Sequence, residues 1–126
     1  MTALVHWLSA RRRSFGFAFS GVGRLLSEAN FRVHLAALAC VLVLGSWLDL
    51  GGTEWACTLL AAALVLVAEG FNTALELLAD AVAPNRHPLV GLAKDVAAGA
   101  VLLSAAAAIV IAAFIMGPKL LLRFGA

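Results

Sequence analysis

The sequence predicts an all-α membrane protein, with an N-terminal amphipathic helix on the membrane surface followed by three transmembrane helices in a single domain, 1–126. Composition is the first reason: 63% of the 126 residues are hydrophobic and 13% are charged, against roughly 25% charged in soluble domains. The second is Val96 to Pro118, which carries no charge; about 20 apolar residues suffice to cross a hydrocarbon layer of ~30 Å. The third is a pair of earlier apolar segments, one from Trp55 to about Leu78 and a shorter one from Val33 to Leu48 that borrows Phe31.

In chain order, residues 1–28 form the predicted surface helix. Phe15, Ala18, Phe19, Val22, Leu25 and Leu26 recur at helical spacing, while Ser14, Ser20, Gly21, Arg24 and Ser27 lie outside that stripe, the pattern of a helix lying in the interface. Arg11, Arg12 and Arg13 sit upstream, near headgroup level. No uninterrupted apolar region with a small-residue cleavage site follows them, so a removable signal peptide is not expected. The first span covers about 31–48. The turn from Asp49 to Glu54 contains two glycines, with Thr53 as the expected N-cap of the second span, about 54–80. Ala83 to Pro88 makes the second loop, and the third span covers about 94–118. Trp7, Trp47 and Trp55 fall at predicted boundaries and read as interfacial anchors.

Positive charge sets orientation. Arg11, Arg12, Arg13, Arg24 and Arg32 precede the first span, Arg86 and Lys94 lie in or just after the second loop, and only Lys119 and Arg123 lie at the far end. The N-terminus and second loop are therefore expected in the cytoplasm, with the chain multi-pass in the inner, cytoplasmic membrane. A net charge of +2, with basic residues not interleaved with aromatics on a polar surface, sets nucleic acid aside as a partner. Cys40 and Cys57 lie in separate apolar segments without CxxC spacing, so neither a metal site nor a disulfide is expected.

Against this apolar background stand Glu69, Asn72, Glu76 and Asp80, at spacings of three, four and four. At ~100° per residue they share a stripe roughly 80° wide. A helix facing only lipid would not carry it, because each central carboxylate costs about 2.5–3.5 kcal/mol and each Leu or Phe returns only about 0.3–0.6. Counted from Trp55 at ~1.5 Å per residue, Glu69 lies ~21 Å into the ~30 Å layer and Glu76 at its cytoplasmic boundary, with Asp80 beyond it in water. A stripe descending from cytosol into lipid suits transfer between a soluble and a lipid substrate. Glu28, at the same cytoplasmic level as Glu76, makes a pair of hard oxygen ligands suited to a magnesium ion that bridges phosphates. Lys94 and Asp95 add a phosphate-binding cation and another acid. Two other readings stay open on the residues alone: a proton or ion pathway, and acids that merely pair with Arg32, Arg86 and Lys94. Three thin helices do not wall off a polar site, so a homo-oligomer is expected, helped by small residues at Ala97–Ala100 and Ala105–Ala108.

Glu69-Gly-Phe-Asn-Thr-Ala-Leu-Glu76-Leu-Leu-Ala-Asp80 and His87-Pro-Leu-Val-Gly-Leu-Ala-Lys94-Asp95 resemble the signature of the small prokaryotic membrane kinases of diacylglycerol and undecaprenol. Glu28-Ala-Asn-Phe-Arg-Val-His34 matches as well. The resemblance implies a homotrimeric bundle that transfers the γ-phosphate of MgATP to a lipid hydroxyl. It implies Glu69 as general base, Asn72 holding the reacting groups, and Glu28 and Glu76 as magnesium ligands. Asp80, Asn85, Arg86, His87, Lys94 and Asp95 would face nucleotide, and Asn30, Arg32, Glu69 and Ala98 the lipid. Asn30, Arg32, His34 and His87-Pro88 look more like the undecaprenol branch than the diacylglycerol branch. Gly16 stands where the family often carries an aromatic nucleotide contact.

Overall fold

The computed structural model describes residues 2–85 and 87–125. The described residues form four helices and no strand: α1 (Thr2–Ser27), α2 (Ala29–Trp47), α3 (Gly52–Val82) and α4 (Pro88–Phe124). The last three are long and apolar enough to cross a membrane. Within the most apolar stretch of each, 33% of α3 is buried against 11% of α2 and of α4, which makes α3 the central helix. It packs along α4 and, less extensively, against α2; α1 meets α2 near their junction.

One residue separates α1 from α2. Glu28 is extended (φ −79°, ψ 133°), its N–H donating to the Leu25 carbonyl at 3.0 Å while its own carbonyl accepts from the Arg32 N–H at 3.1 Å. The joint is thus an elbow with a carboxylate at its apex. Leu25 of α1 reaches α3 at Gly70, where a Cβ would lie 3.4 Å from Leu25 Cδ1.

Helix α3 starts earlier than expected. Its N-cap is Gly51, not Thr53, because only from Gly51 does the third helical position fall on an acid: the Glu54 carboxylate accepts the Gly51 N–H at 2.7 Å, the reach-back half of a capping box. Had Thr53 been the cap, that position would be Ala56, which has no acceptor.

Helix α4 exceeds its predicted bounds at both ends. It begins at Pro88, a residue suited to a first helical position, and continues through Pro118 to Phe124. Proline there removes one N–H and frees the carbonyl four residues back, that of Phe114, yet the last turns stay helical because they are tied to the rest of the chain. Lys119 Nζ lies 2.9 Å from a Glu54 carboxylate oxygen and donates to the Asp49 carbonyl at 3.3 Å. Arg123 donates to the Trp47 carbonyl at 2.8 Å and lies over the Trp47 ring at 4.4 Å, and Phe124 packs on that ring. Beneath this clamp Leu48, Leu50 and Met116 form a buried cluster, joined by Val41, Leu44, Trp55, Ile115 and Leu120. Trp55 is therefore packed against this cluster. Cys40 and Cys57 are free and exposed on the apolar exterior.

Candidate functional site

The buried positions of α3 are Thr58, Ala61, Val65, Glu69, Asn72, Thr73 and Ala79, which at ~100° per residue fall within about 120° of arc and keep one face against α2 and α4. The acid stripe lies on that face. Glu69 is 3% and Asn72 5% exposed, Glu76 is half-buried and Asp80 exposed, so the stripe emerges from the protein interior toward the C-terminal end of α3. Between Thr58 and Glu69 the buried face carries only Ala61 and Val65, and no polar side chain extends the trail outward there.

A cavity of about 210 Å³ opens where α2, α3 and α4 meet, lined by Asn30, Val33, His34, Glu69, Asn72, Glu76, Ala98 and Val101. Asn72 Nδ2 donates to Glu76 Oε1 at 3.3 Å. Asn72 Oδ1 is buried and accepts no hydrogen bond among the described residues; an unmet acceptor of this kind costs about 1–3 kcal/mol, so it favours a ligand that brings a donor. Glu28 lies outside the lining, paired with Arg24 at 2.8 Å.

A second cavity, of about 560 Å³, lies at the loop between α3 and α4 and is lined by Asp80, Asn85, His87, Gly91 and Lys94 with intervening apolar residues. Lys94 Nζ donates to Asp80 Oδ1 at 2.9 Å, an exposed pair (side chains 35% and 72% accessible). Asp95 is exposed and lines neither cavity, being ~100° round the helix from Lys94. Arg86 lies outside the described residues.

The structure thus gathers Asn30, Glu69, Asn72, Glu76 and Ala98 at one cavity and Asp80, Asn85, His87 and Lys94 at the other. Arg32 joins neither, since it lies two residues from Asn30 and so on the opposite side of α2. His34, matched in the Glu28–His34 segment but not among the expected site residues, also lines this cavity. Its spacing of four from Asn30 puts both on one face of α2, which was the available signal.

Glu28 and Glu76 suit a magnesium ion by donor chemistry. Among the described residues no group of three or more His, Cys, Asp or Glu is gathered for a metal, but magnesium at phosphate sites keeps waters and phosphate oxygens and needs only one or two carboxylates.

Comparison with known proteins gives one family throughout. The profile of a family described as prokaryotic diacylglycerol kinase matches residues 16–116. A diacylglycerol kinase of Synechocystis is 39% identical over 110 residues, 86% of this chain and 63% of that protein, so the chain spans less than two thirds of that relative's length. An undecaprenol kinase of Bacillus subtilis is 37% identical over 109 residues, 86% of this chain and 89% of that protein. A diacylglycerol kinase of Escherichia coli K12 is 28% identical over 99 residues, 78% and 81% of the two chains.

Proposed function

Because the chain belongs to the prokaryotic diacylglycerol kinase family, we propose that it is a membrane lipid kinase that transfers the γ-phosphate of MgATP to a lipid hydroxyl, with undecaprenol as the preferred acceptor and diacylglycerol as the alternative. The observation that carries this reading is a buried carboxylate, Glu69, opening on a polar cavity between apolar helices, close to a separate loop cavity that holds a lysine.

Phosphoryl transfer asks for positioning and charge neutralisation more than for covalent chemistry. The lipid alcohol enters the α2–α3–α4 cavity from the hydrocarbon side, past Ala98, whose small side chain leaves the mouth open. Glu69 accepts the hydroxyl proton as the new P–O bond forms and the bond from the γ-phosphorus to the ADP oxygen breaks, with ADP leaving on the nucleotide side. Asn72 spans acceptor and donor sides, its Nδ2 donating to Glu76 and holding that carboxylate in place. Glu76 and Glu28 would hold magnesium, which when bound neutralises phosphate charge. Asp80, Asn85, Arg86, His87, Lys94 and Asp95 form the nucleotide side, with Lys94 as the point charge on phosphate. Asn30 flanks the lipid headgroup from α2, and Arg32, on the opposite side of that helix, stands outside the cavity. The preference for undecaprenol rests on the Asn30, Arg32, His34 and His87-Pro88 pattern, together with the likeness to the Bacillus protein across most of both chains.

The working enzyme is a homotrimer in the cytoplasmic membrane, with its N-terminus and second loop in the cytoplasm and α1 lying on the membrane surface. Purified protein in bilayers should consume ATP only when magnesium and a lipid alcohol are both present. Glu69→Gln should lower turnover by about 10²–10⁴-fold, the usual worth of a general base, with assembly unchanged. Offering diacylglycerol and undecaprenol together with labelled ATP tests the acceptor: equal labelling of both would remove the preference, and ion flux without ATP would replace the kinase reading.

A further inference from the structure

Helix α1 begins at Thr2, so its apolar face is longer than the Phe15–Leu26 stripe. Trp7, Leu8, Phe15, Phe19 and Val22 fall within about 120° of arc at ~100° per residue, and all five are exposed. Three consecutive arginines, Arg11, Arg12 and Arg13, lie in the N-terminal half of the same helix. Arg11 projects from the apolar side with its guanidinium 5.4 Å from the centre of the Trp7 ring, the posture of a long side chain lying along apolar surface with its charge at headgroup level. Arg12 borders the apolar face and Arg13 lies beyond it. All three are exposed and form no ion pair among the described residues. No acid precedes Glu28 in the sequence, so nothing offsets this charge locally. Residues 1–15 also lie outside the segment that the family profile matches.

We propose that the N-terminal half of α1, through Arg11, Arg12, Arg13 and Trp7, docks on the phosphates of anionic phospholipids in the cytoplasmic leaflet. The proposal rests on the reading of α1 as a surface helix and adds a lipid class to it. An aromatic–basic helix with no acid gains from a negative leaflet in a way that an apolar face alone does not. Docking there also holds the elbow at Glu28, since α1 runs directly into it.

The test uses the full chain, carrying Cys40→Ser and Cys57→Ser and an environment-sensitive nitrobenzoxadiazole label at Leu8→Cys, in vesicles of phosphatidylcholine with and without phosphatidylglycerol. Label fluorescence should rise and shift to the blue when phosphatidylglycerol is present, and the gain should vanish in high salt as the Debye length falls from ~10 Å at 0.1 M to ~3 Å at 1 M. Replacing all three arginines by Gln should abolish the gain, and replacing them by Lys should keep most of it. Equal fluorescence in the two vesicle types, or a gain that survives the Gln variant, overturns the proposal. So does a Gln variant that changes the number of chains per particle, which would mean that this face docks on another copy. A gain in label signal without kinase activity in any vesicle would sustain the docking and remove the kinase reading instead.

Discussion

Asp49 ends α2 with φ of 52°, in the left-handed region that favours glycine. Around it the Leu50 N–H donates to the Gly45 carbonyl at 3.2 Å and the Asp49 N–H to Ser46 at 3.4 Å, the paired bonds of a Schellman turn. Aspartate is among the few residues that tolerate this conformation, but glycine carries no penalty there. Asp49→Gly is therefore expected to raise stability by up to about 1 kcal/mol, read as a higher unfolding midpoint in detergent. Four residues earlier, Gly45 lies against Trp55: a Cβ there would come within 2.8 Å of Trp55 Cη2. Gly45→Val overpacks that contact and should cost about 1–3 kcal/mol, with a shift in tryptophan fluorescence as Trp55 moves. Neither constraint is visible in the sequence, which shows Gly45, Asp49, Gly51 and Gly52 near a turn but not which glycine faces an indole ring.

At the level of helices, the clamp between α4 and the α2–α3 turn explains two charges that weaken the simple topology count. Lys119 and Arg123 lie at the far end of the third span yet serve as caps for backbone carbonyls of Asp49 and Trp47. Removing Arg123 takes away a charged hydrogen bond and a cation–π contact, so Arg123→Ala should destabilise by about 1–3 kcal/mol while leaving the KM for ATP unchanged. The Asp80–Lys94 pair should behave in the opposite way. Being exposed, it contributes no more than about 1 kcal/mol to stability, whereas Lys94→Ala should raise the KM for ATP by about ten- to a hundred-fold if its charged hydrogen bond to phosphate is worth about 1.5–3 kcal/mol. A stability loss without a change in KM would remove Lys94 from the nucleotide side. The stripe on α3 was readable because helical periodicity is local: residues 69, 72, 76 and 80 share a face wherever the helix sits. The contribution of α2 was only half readable, since Asn30 and His34 share a face by spacing, but that face meets α3 only through tertiary packing.

On the scale of the whole molecule, a cavity whose mouth is edged by Ala98, and which is held between thin apolar helices, needs further protein around it to keep acyl chains from its acids. Three chains per particle are expected by native mass spectrometry, and conditions that dissociate the particle should abolish turnover without melting the helices, as followed by circular dichroism. If single chains retain full activity, the enclosure comes from the one chain alone.

From composition and periodicity the chain's character as a membrane protein, its three spans and the shared face of Glu69, Asn72, Glu76 and Asp80 follow directly, because burial of backbone polar groups in lipid leaves few alternatives to helices and because side-chain direction in a helix depends only on spacing. Tertiary structure alone decided which acids are buried, that the face shared by Asn30 and His34 meets α3, and that α4 continues through Pro118. Each of these depends on contacts between residues far apart in the chain, whose free energies outweigh the local preferences that a sequence displays.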